Sequence, residues 1–434
     1  MKISVIGTGY LGATHAACLA EIGHDVVGLD VDPAKVELLA AGRVPFHEPG
    51  LAQLVRTHVA SGRLVFTTDE SQLADADVHF ICVGTPQAAG SLAVDLTAVD
   101  AAVDVIARAA SPDSLVVGKS TVPAGTATCL RRRLIAAWDR PVSVCWNPEF
   151  LREGRAVQDS LRPDRLVLGV EHDAAYERLL DVYAPLCNAG VPVIRTDLAT
   201  AELAKVSANV MLAARVSVIN VLAEVCEAAG GDVEALAAVL RADHRIGSAY
   251  LRPGIGFGGS CLPKDVRGFV AQACELGVGD SAALLGEVDS VNMRQRAQVV
   301  DAALVALGDD THRRVAVLGA AFKKDSDDLR DSPAVDTALT LHRQGADVVV
   351  HDPRALGALA LRHPELATEA DVLRACTDAD VVMVLTDWDE YADLDPVALA
   401  EVVRRPQVVD GRLVLHRDKW RAAGWNVHHA GWAA

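Results

Sequence analysis

The sequence predicts an α/β chain in which two doubly wound domains are joined by a long central helix, and three observations carry that reading. The chain opens on an apolar strand that runs into Gly7-Thr8-Gly9-Tyr10-Leu11-Gly12. Near its far end, Val315-Ala316-Val317-Leu318-Gly319 repeats that opening. Between them, residues from about 198 to 229 read as one mostly apolar helix stopped by Gly230-Gly231. At 434 residues the chain exceeds one hydrophobic core, and domains are expected at 1–197, 198–300 and 301–434.

The first domain starts strand, Gly-rich turn, helix, in the order of a dinucleotide-binding βαβ unit. There the first glycine permits a tight turn, the second lets the backbone approach a pyrophosphate, and the third packs helix on strand. A second strand, Asp25 to Asp30, follows at βαβ distance and ends in an acid suited to the ribose hydroxyls. Asp30 also repels a 2′-phosphate, so NAD is expected rather than NADP. Further strands end in Gly84-Thr85-Pro86 and Lys119-Ser120-Thr121, which places Thr85, Ser120 and Thr121 at a ligand crevice, although such hydroxyls also serve as helix caps.

The C-terminal domain echoes this order. Gly345 to Asp352 mirrors Gly23 to Asp30, and Asp378-Ala379-Asp380-Val381-Val382 mirrors the approach to the third strand, so both domains are expected to be Rossmann-like. Its first turn departs from a dinucleotide site: the later glycines are replaced by Phe322-Lys323-Lys324-Asp325-Ser326-Asp327-Asp328-Leu329-Arg330. Cationic side chains there suit a different phosphate-bearing ligand, while a merely solvated charged loop is the plain alternative.

The central helix is too apolar for a solvated linker and is expected to be buried against the domains or a second copy of itself. Lys205 and Asn209, four residues apart, share a face with Glu202 nearby. An unpaired buried lysine is costly, so either Glu202 neutralises Lys205 or the lysine faces a polar site.

A net charge of −17 argues against nucleic acid or an anionic membrane as partner. Nine scattered cysteines without Cys-x-x-Cys spacing suggest a reducing compartment with neither disulfides nor a metal site. The chain enters its first strand without a leader, and no uninterrupted apolar run reaches membrane length, so a soluble cytoplasmic protein is expected. One thiol stands apart. Cys261 lies in Gly256-Phe257-Gly258-Gly259-Ser260-Cys261-Leu262-Pro263-Lys264-Asp265, framed by glycines that allow close approach and by a lysine that favours thiolate. An isolated cysteine is more often a small hydrophobe, so the loop alone does not decide.

Taken together, Gly7 to Gly12, Asn147-Pro148-Glu149-Phe150-Leu151-Arg152-Glu153-Gly154, Lys205 with Asn209, the Cys261 loop and Lys323 to Arg330 resemble the nucleotide-sugar dehydrogenases of the UDP-glucose/GDP-mannose dehydrogenase family, in order through nearly the whole chain. The resemblance implies an N-terminal NAD domain, a central helical dimerisation region with the cysteine loop, and a C-terminal nucleotide-sugar domain. It also implies four-electron oxidation of a nucleotide hexose at C6 with two NAD. The Gly-Gly-Ser-Cys wording favours UDP-glucose or GDP-mannose over a UDP-N-acetyl-hexosamine, with UDP-glucose the expectation; a catalytically silent relative is the other class.

By the same resemblance, Cys261 forms a thiohemiacetal and then a thioester, and Lys205 and Asn209 stabilise oxyanions. Asp265 acts with Thr121 on water or a proton, and Glu149 serves thioester hydrolysis. Positions matching cofactor contacts are Gly7, Gly9, Tyr10, Leu11, Gly12, Asp30, Lys35, Thr85, Thr121, Glu153, Lys264 and Arg330. Those matching substrate contacts are Glu149, Phe150, Leu151, Arg152, Glu153, Lys205, Asn209, Arg245, Tyr250, Arg252, Phe257, Gly258, Lys323 and Arg412. Arg245 corresponds to an arginine that reaches the neighbouring subunit, so a homodimer is expected. Lys324-Asp325-Ser326, where many relatives carry proline and threonine, and Phe257, where tyrosine is common, depart from the pattern.

Overall fold

A computed structural model describes residues 1–308 and 311–429; the expected end of the last domain at 434 lies outside them. The chain divides into two compact units, Met1–Ala208 and Asn209–Ala434.

In the first unit the strands are β1 (Lys2–Ile6), β2 (Asp25–Leu29), β3 (Leu64–Thr67), β4 (Val78–Ile81), β5 (Leu115–Gly118), β6 (Val144–Trp146), β7 (Leu166–Gly169) and β8 (Val193–Thr196). They form one sheet in the order β3-β2-β1-β4-β5-β6-β7-β8. Pairing is parallel except at the single β6–β7 bridge of Trp146 with Gly169. The central strands are apolar on both faces because helices cover both. Ile3, Val5, Phe80 and Val117 join one core cluster, and Ile6, Ile81, Val116 and Trp146 the other. The order in which strands are added reverses at β1, towards β3 on one side and β4 on the other, so the crevice at the carboxyl ends of β1 and β4 is the switch point where such sheets take ligands. Helix α1 (Tyr10–Glu21) leaves β1 directly, α2 (Thr126–Trp138) follows β5, and α3 (Ala156–Leu161) follows the loop after β6.

Helix α4 (Leu198–Ala228) matches the expected long helix, and the division between units falls within it. By length and mean hydropathy of 1.6 it could cross a membrane. Glu202, Lys205 and Asn209 interrupt the run, and the protein itself buries them.

The second unit contains α5 (Leu262–Glu275), α6 (Ala283–Leu307) and a six-stranded parallel sheet. Its strands are β9 (Arg314–Leu318), β10 (Asp347–His351), β11 (Ala367–Thr368), β12 (Val381–Val384), β13 (Gln407–Asp410) and β14 (Asn426–His429). The order β11-β10-β9-β12-β13-β14 reproduces the first six positions of the other sheet, and every pairing is parallel. The repeat seen in the sequence is thus a repeat of topology.

Candidate active site

In the first unit the glycine turn is built as a dinucleotide cradle requires. Gly7 sits at φ +87°, and a Cβ on Gly12 would stand 1.8 Å from the Gly7 carbonyl oxygen, so both positions exclude side chains for internal reasons. Gly9 differs. A Cβ there meets no protein atom within 4 Å, so its bareness leaves space for a ligand. Asp30, buried at the end of β2, accepts the Thr8 N–H at 2.7 Å, the Asp32 N–H at 3.1 Å and the Lys35 ammonium at 3.0 Å. Burial raises its carboxyl, but the N–H groups of Asp32 and Thr8 with Lys35 outweigh that and hold it below the usual range, as an anion. Thr85 donates to the Thr121 carbonyl at 2.7 Å, tying the ends of β4 and β5 together. Tyr10 and Leu11 open α1, half-buried, and Glu153 lies half-buried on the loop after β6.

That loop also carries the candidate acid or base. Glu149 pairs with the buried Lys205 ammonium at 3.0 Å and takes the Leu151 N–H at 2.6 Å, so its carboxylate is held in one orientation. Of the two alternatives for Lys205, pairing with Glu202 is not the one found. Glu202 instead accepts the N–H groups of Gly125 and Ala127 at 2.7 and 2.6 Å, capping α2, which frees Lys205 for Glu149. Phe150 lies under the Arg165 guanidinium at 3.8 Å. Arg152 grips Asp159 through two side-chain bonds of 2.9 and 2.6 Å, a fixed pair on the surface.

In the second unit Cys261 is exposed at the N-cap of α5, where the helix dipole and free N–H groups favour a thiolate. Asp265, one turn on and 2% exposed, is clamped by the Asn209 amide at 2.6 Å and the Lys264 ammonium at 2.6 Å. Lys264 pairs with Asp265, and the Ser260 hydroxyl lies 3.6 Å from the sulfur. The glycines of the loop approach their own chain. A Cβ on Gly256, Gly258 or Gly259 would stand 2.3 Å from Asn292 Oδ1, 2.3 Å from the Asp331 carbonyl and 2.7 Å from the Phe322 ring. They make the loop fit its own domain, and Gly256 and Gly259 take up the positive φ, +92° and +85°, that a missing Cβ allows.

The other candidates of this unit stand in several places. Arg412 donates to the carbonyls of Gly256, Leu385 and Phe322 at 3.0, 3.0 and 3.2 Å, so it braces the loop. Arg252 donates to the Leu413 carbonyl, and Leu413 and Tyr250 both hold left-handed backbone, at φ 53° and 58°. Lys323 is half-buried, 5.4 Å from the Phe322 ring, while Arg330 is exposed and chelates Asp328. Arg245 is exposed and paired with Asp243 at 2.6 Å. Phe257 and Gly258 are buried in the loop itself.

Two residues missed in the sequence hold the Phe257 peptide. Asn292 on α6 accepts its N–H at 2.7 Å and donates to its carbonyl at 3.0 Å, and Arg296 donates to the same carbonyl at 2.9 Å. Polar residues four apart among the apolar positions of that helix were the available signal, the same one that marked Lys205 and Asn209. Lys119 was missed too: its buried ammonium donates to Asn147 at 2.8 Å, and burial pulls it down to about 8.

Residues 1–187, 199–294 and 316–417 match, in turn, the NAD binding domain, the central domain and the UDP binding domain of the UDP-glucose/GDP-mannose dehydrogenase family. The chain is 38% identical over 434 residues to UDP-glucose 6-dehydrogenase TuaD of Bacillus subtilis, covering 99% of this chain and 93% of that one. It is 40% identical over 427 residues to UDP-glucose 6-dehydrogenase AglM of Haloferax volcanii, covering 96% and 98%. A solved UDP-glucose dehydrogenase from Pyrobaculum islandicum has the same fold at a TM-score of 0.91, with 38% identity over 100% of this chain and 98% of that one.

Proposed function

The chain belongs to the UDP-glucose/GDP-mannose dehydrogenase family, and from that premise we propose that it oxidises UDP-glucose to UDP-glucuronate with two NAD. The observation that carries the reading is the nucleophile cluster: an exposed thiol at a helix N-cap, with a buried carboxylate one turn away held by Asn209 and Lys264. The residues present fit the cofactor. Gly7, Gly9 and Gly12 would hold its pyrophosphate and Asp30 its ribose, and NAD when bound supplies the hydride acceptor for C6 in each oxidation.

Asp265, or water ordered by it with Thr121, takes the hydroxyl proton as C6 first loses hydride. The Cys261 sulfur then adds to the aldehyde carbon, forming an S–C bond and an alkoxide that Lys205 and Asn209 stabilise. Loss of a second hydride leaves a thioester. Water activated by Glu149 adds to its carbonyl, the S–C bond breaks, and carboxylate and thiolate are released. One alcohol, one water and two NAD give one carboxylate, two NADH and three protons, so the electrons balance. In this scheme Lys323 and Arg330 border the nucleotide sugar and cofactor, and Phe150, Leu151, Tyr250, Arg252, Phe257 and Arg412 shape the sugar pocket.

The functional unit we infer is a homodimer. The apolar side chains of Met211, Val218, Val221 and Val225 on α4 are 65, 52, 37 and 60% exposed at seam-like spacing, which a second copy would cover. Arg245, exposed as a cross-subunit residue must be, would complete the partner's site. Free cysteines throughout suit a cytoplasmic setting.

The test is NADH counted per sugar consumed across UDP-glucose, GDP-mannose and UDP-N-acetyl-hexosamines. Two NADH from UDP-glucose, abolished in Cys261→Ala, is expected. One NADH with free aldehyde would overturn the covalent route, turnover of another sugar would reassign the substrate, and no turnover of any would support the silent relative.

A further inference from the structure

Glu48 belongs to neither the glycine turn nor the catalytic loop, yet it bonds to both. It stands in the loop before the helix Leu51–Ala60 and is 5% exposed. One carboxylate oxygen accepts the Ala156 N–H at 2.8 Å. The other accepts the Gly154 N–H at 2.7 Å and the Tyr10 hydroxyl. Tyr10 is the first residue of α1, inside the glycine fingerprint; Gly154 and Ala156 close the loop that carries Glu149 and Glu153. The Tyr10 oxygen also lies 3.3 Å from the Gly154 N–H, so the three groups form one network. Burial, and then the bond to Glu48, raise the Tyr10 phenol well above its ordinary range, so it remains a donor at any working pH.

We propose that Glu48 is a positioning residue that couples the cofactor turn to the catalytic loop, so that NAD seated on the turn fixes the geometry of residues 149–156. The physical basis is the short, stiff connection. A carboxylate saturated by donors from two segments moves with both or releases one, and in a buried setting release leaves an N–H or hydroxyl unpaired. Closing of the Gly7–Gly12 turn on a pyrophosphate shifts the start of α1, and Tyr10 passes that shift through Glu48 to the Gly154 and Ala156 amides. Glu153 is one residue from the first of these, and Glu149, already held by Lys205 and the Leu151 N–H, is five residues away.

The proposal rests on NAD occupying the glycine turn and is tested by amide hydrogen exchange of the full-length enzyme over residues 147–160, with and without NAD. In the unaltered protein NAD should slow exchange there at least fivefold. Glu48→Gln turns an NH₂ toward one of the donors, and the NAD-dependent slowing should vanish, with kcat about tenfold lower. Tyr10→Phe removes one donor and leaves both loop amides bonded to Glu48. It should keep the resting exchange rates and still lose the response to NAD, which separates coupling from simple support, and it serves if Glu48→Gln fails to fold. Full NAD-dependent slowing in Tyr10→Phe, or none in the unaltered protein at saturating NAD, would overturn the coupling. Failure of NAD to bind the unaltered protein would instead overturn the cofactor reading on which the coupling rests.

Discussion

The two parallel sheets share strand order, and each has a first turn that begins with a left-handed glycine, Gly7 at φ +87° and Gly319 at φ +106°. They differ in what their second-strand acid does. Asp30 takes one backbone N–H from its turn, that of Thr8, and the rest of its contacts are Asp32, Lys35 and the Thr8 hydroxyl. Asp352 takes the N–H groups of Ala320 and Ala321, those of Arg354 and Ala355, and the Trp388 indole. In the second domain the protein's own carboxylate sits on the turn amides that would otherwise face a phosphate. The same scaffold therefore makes a cofactor cradle in one copy and a self-capped turn in the other.

The largest expected effect comes from Gly9→Ala. Its Cβ touches nothing in the protein and its φ of −67° suits alanine, so thermal stability should hold within about 0.5 kcal/mol. The KM for NAD should rise by on the order of a hundredfold, because the added methyl stands where the backbone must meet the pyrophosphate. Gly319→Ala should do the reverse: its Cβ would lie 2.5 Å from Thr386, so it lowers stability and leaves the KM for NAD unchanged. A normal KM for NAD in Gly9→Ala would break the comparison at its first term.

Exchanging the acids sharpens it. Asp352→Ala strands five donors, four of them buried, and should cost on the order of 3–5 kcal/mol in chemical denaturation, with the KM for NAD unaltered in the fraction that folds. Asp30→Ala should cost less stability, raise the KM for NAD about tenfold and narrow the preference over NADP. Equal effects of the two substitutions on NAD would mean that both turns bind it.

How much of this could be read from letters follows the range of the interactions. Gly7 to Gly12, the repeat at Val315 and the helix Leu198–Ala228 are local patterns, and periodicity exposed them. The partners were not local. Lys205 meets Glu149 from 56 positions away while Glu202, three positions off, caps another helix; no spacing rule distinguishes these outcomes. The glycines around Cys261 illustrate the same limit. Their need was legible, but whether a ligand or the chain itself came close depended on Asn292, Asp331 and Phe322, brought in by the fold.

The smallest expected effect is a pair of opposed pH dependences at corresponding strand ends. After β5, the fifth strand of its sheet by the shared order, stands buried Lys119; β13, its counterpart, ends in Asp410, 1% exposed. Burial pulls Lys119 down from 10.5 to about 8 and pushes Asp410 up from 3.8. For Lys119 the unfolded chain binds the extra proton between about 8 and 10.5, so this group makes stability rise with pH across that window. For Asp410 the folded chain binds the extra proton, so its contribution is complete below 3.8 and is lost as pH climbs through the raised folded value. One proton limits either slope to about 1.4 kcal/mol per pH unit. Lys119→Met leaves Asn147 bonded to the Tyr183 hydroxyl at 2.6 Å, so the variant should fold and lose only the alkaline rise in its urea midpoint. An alkaline rise equal to that of the unaltered protein would show that Lys119 contributes none of it, and the opposition between the two strand ends would fail.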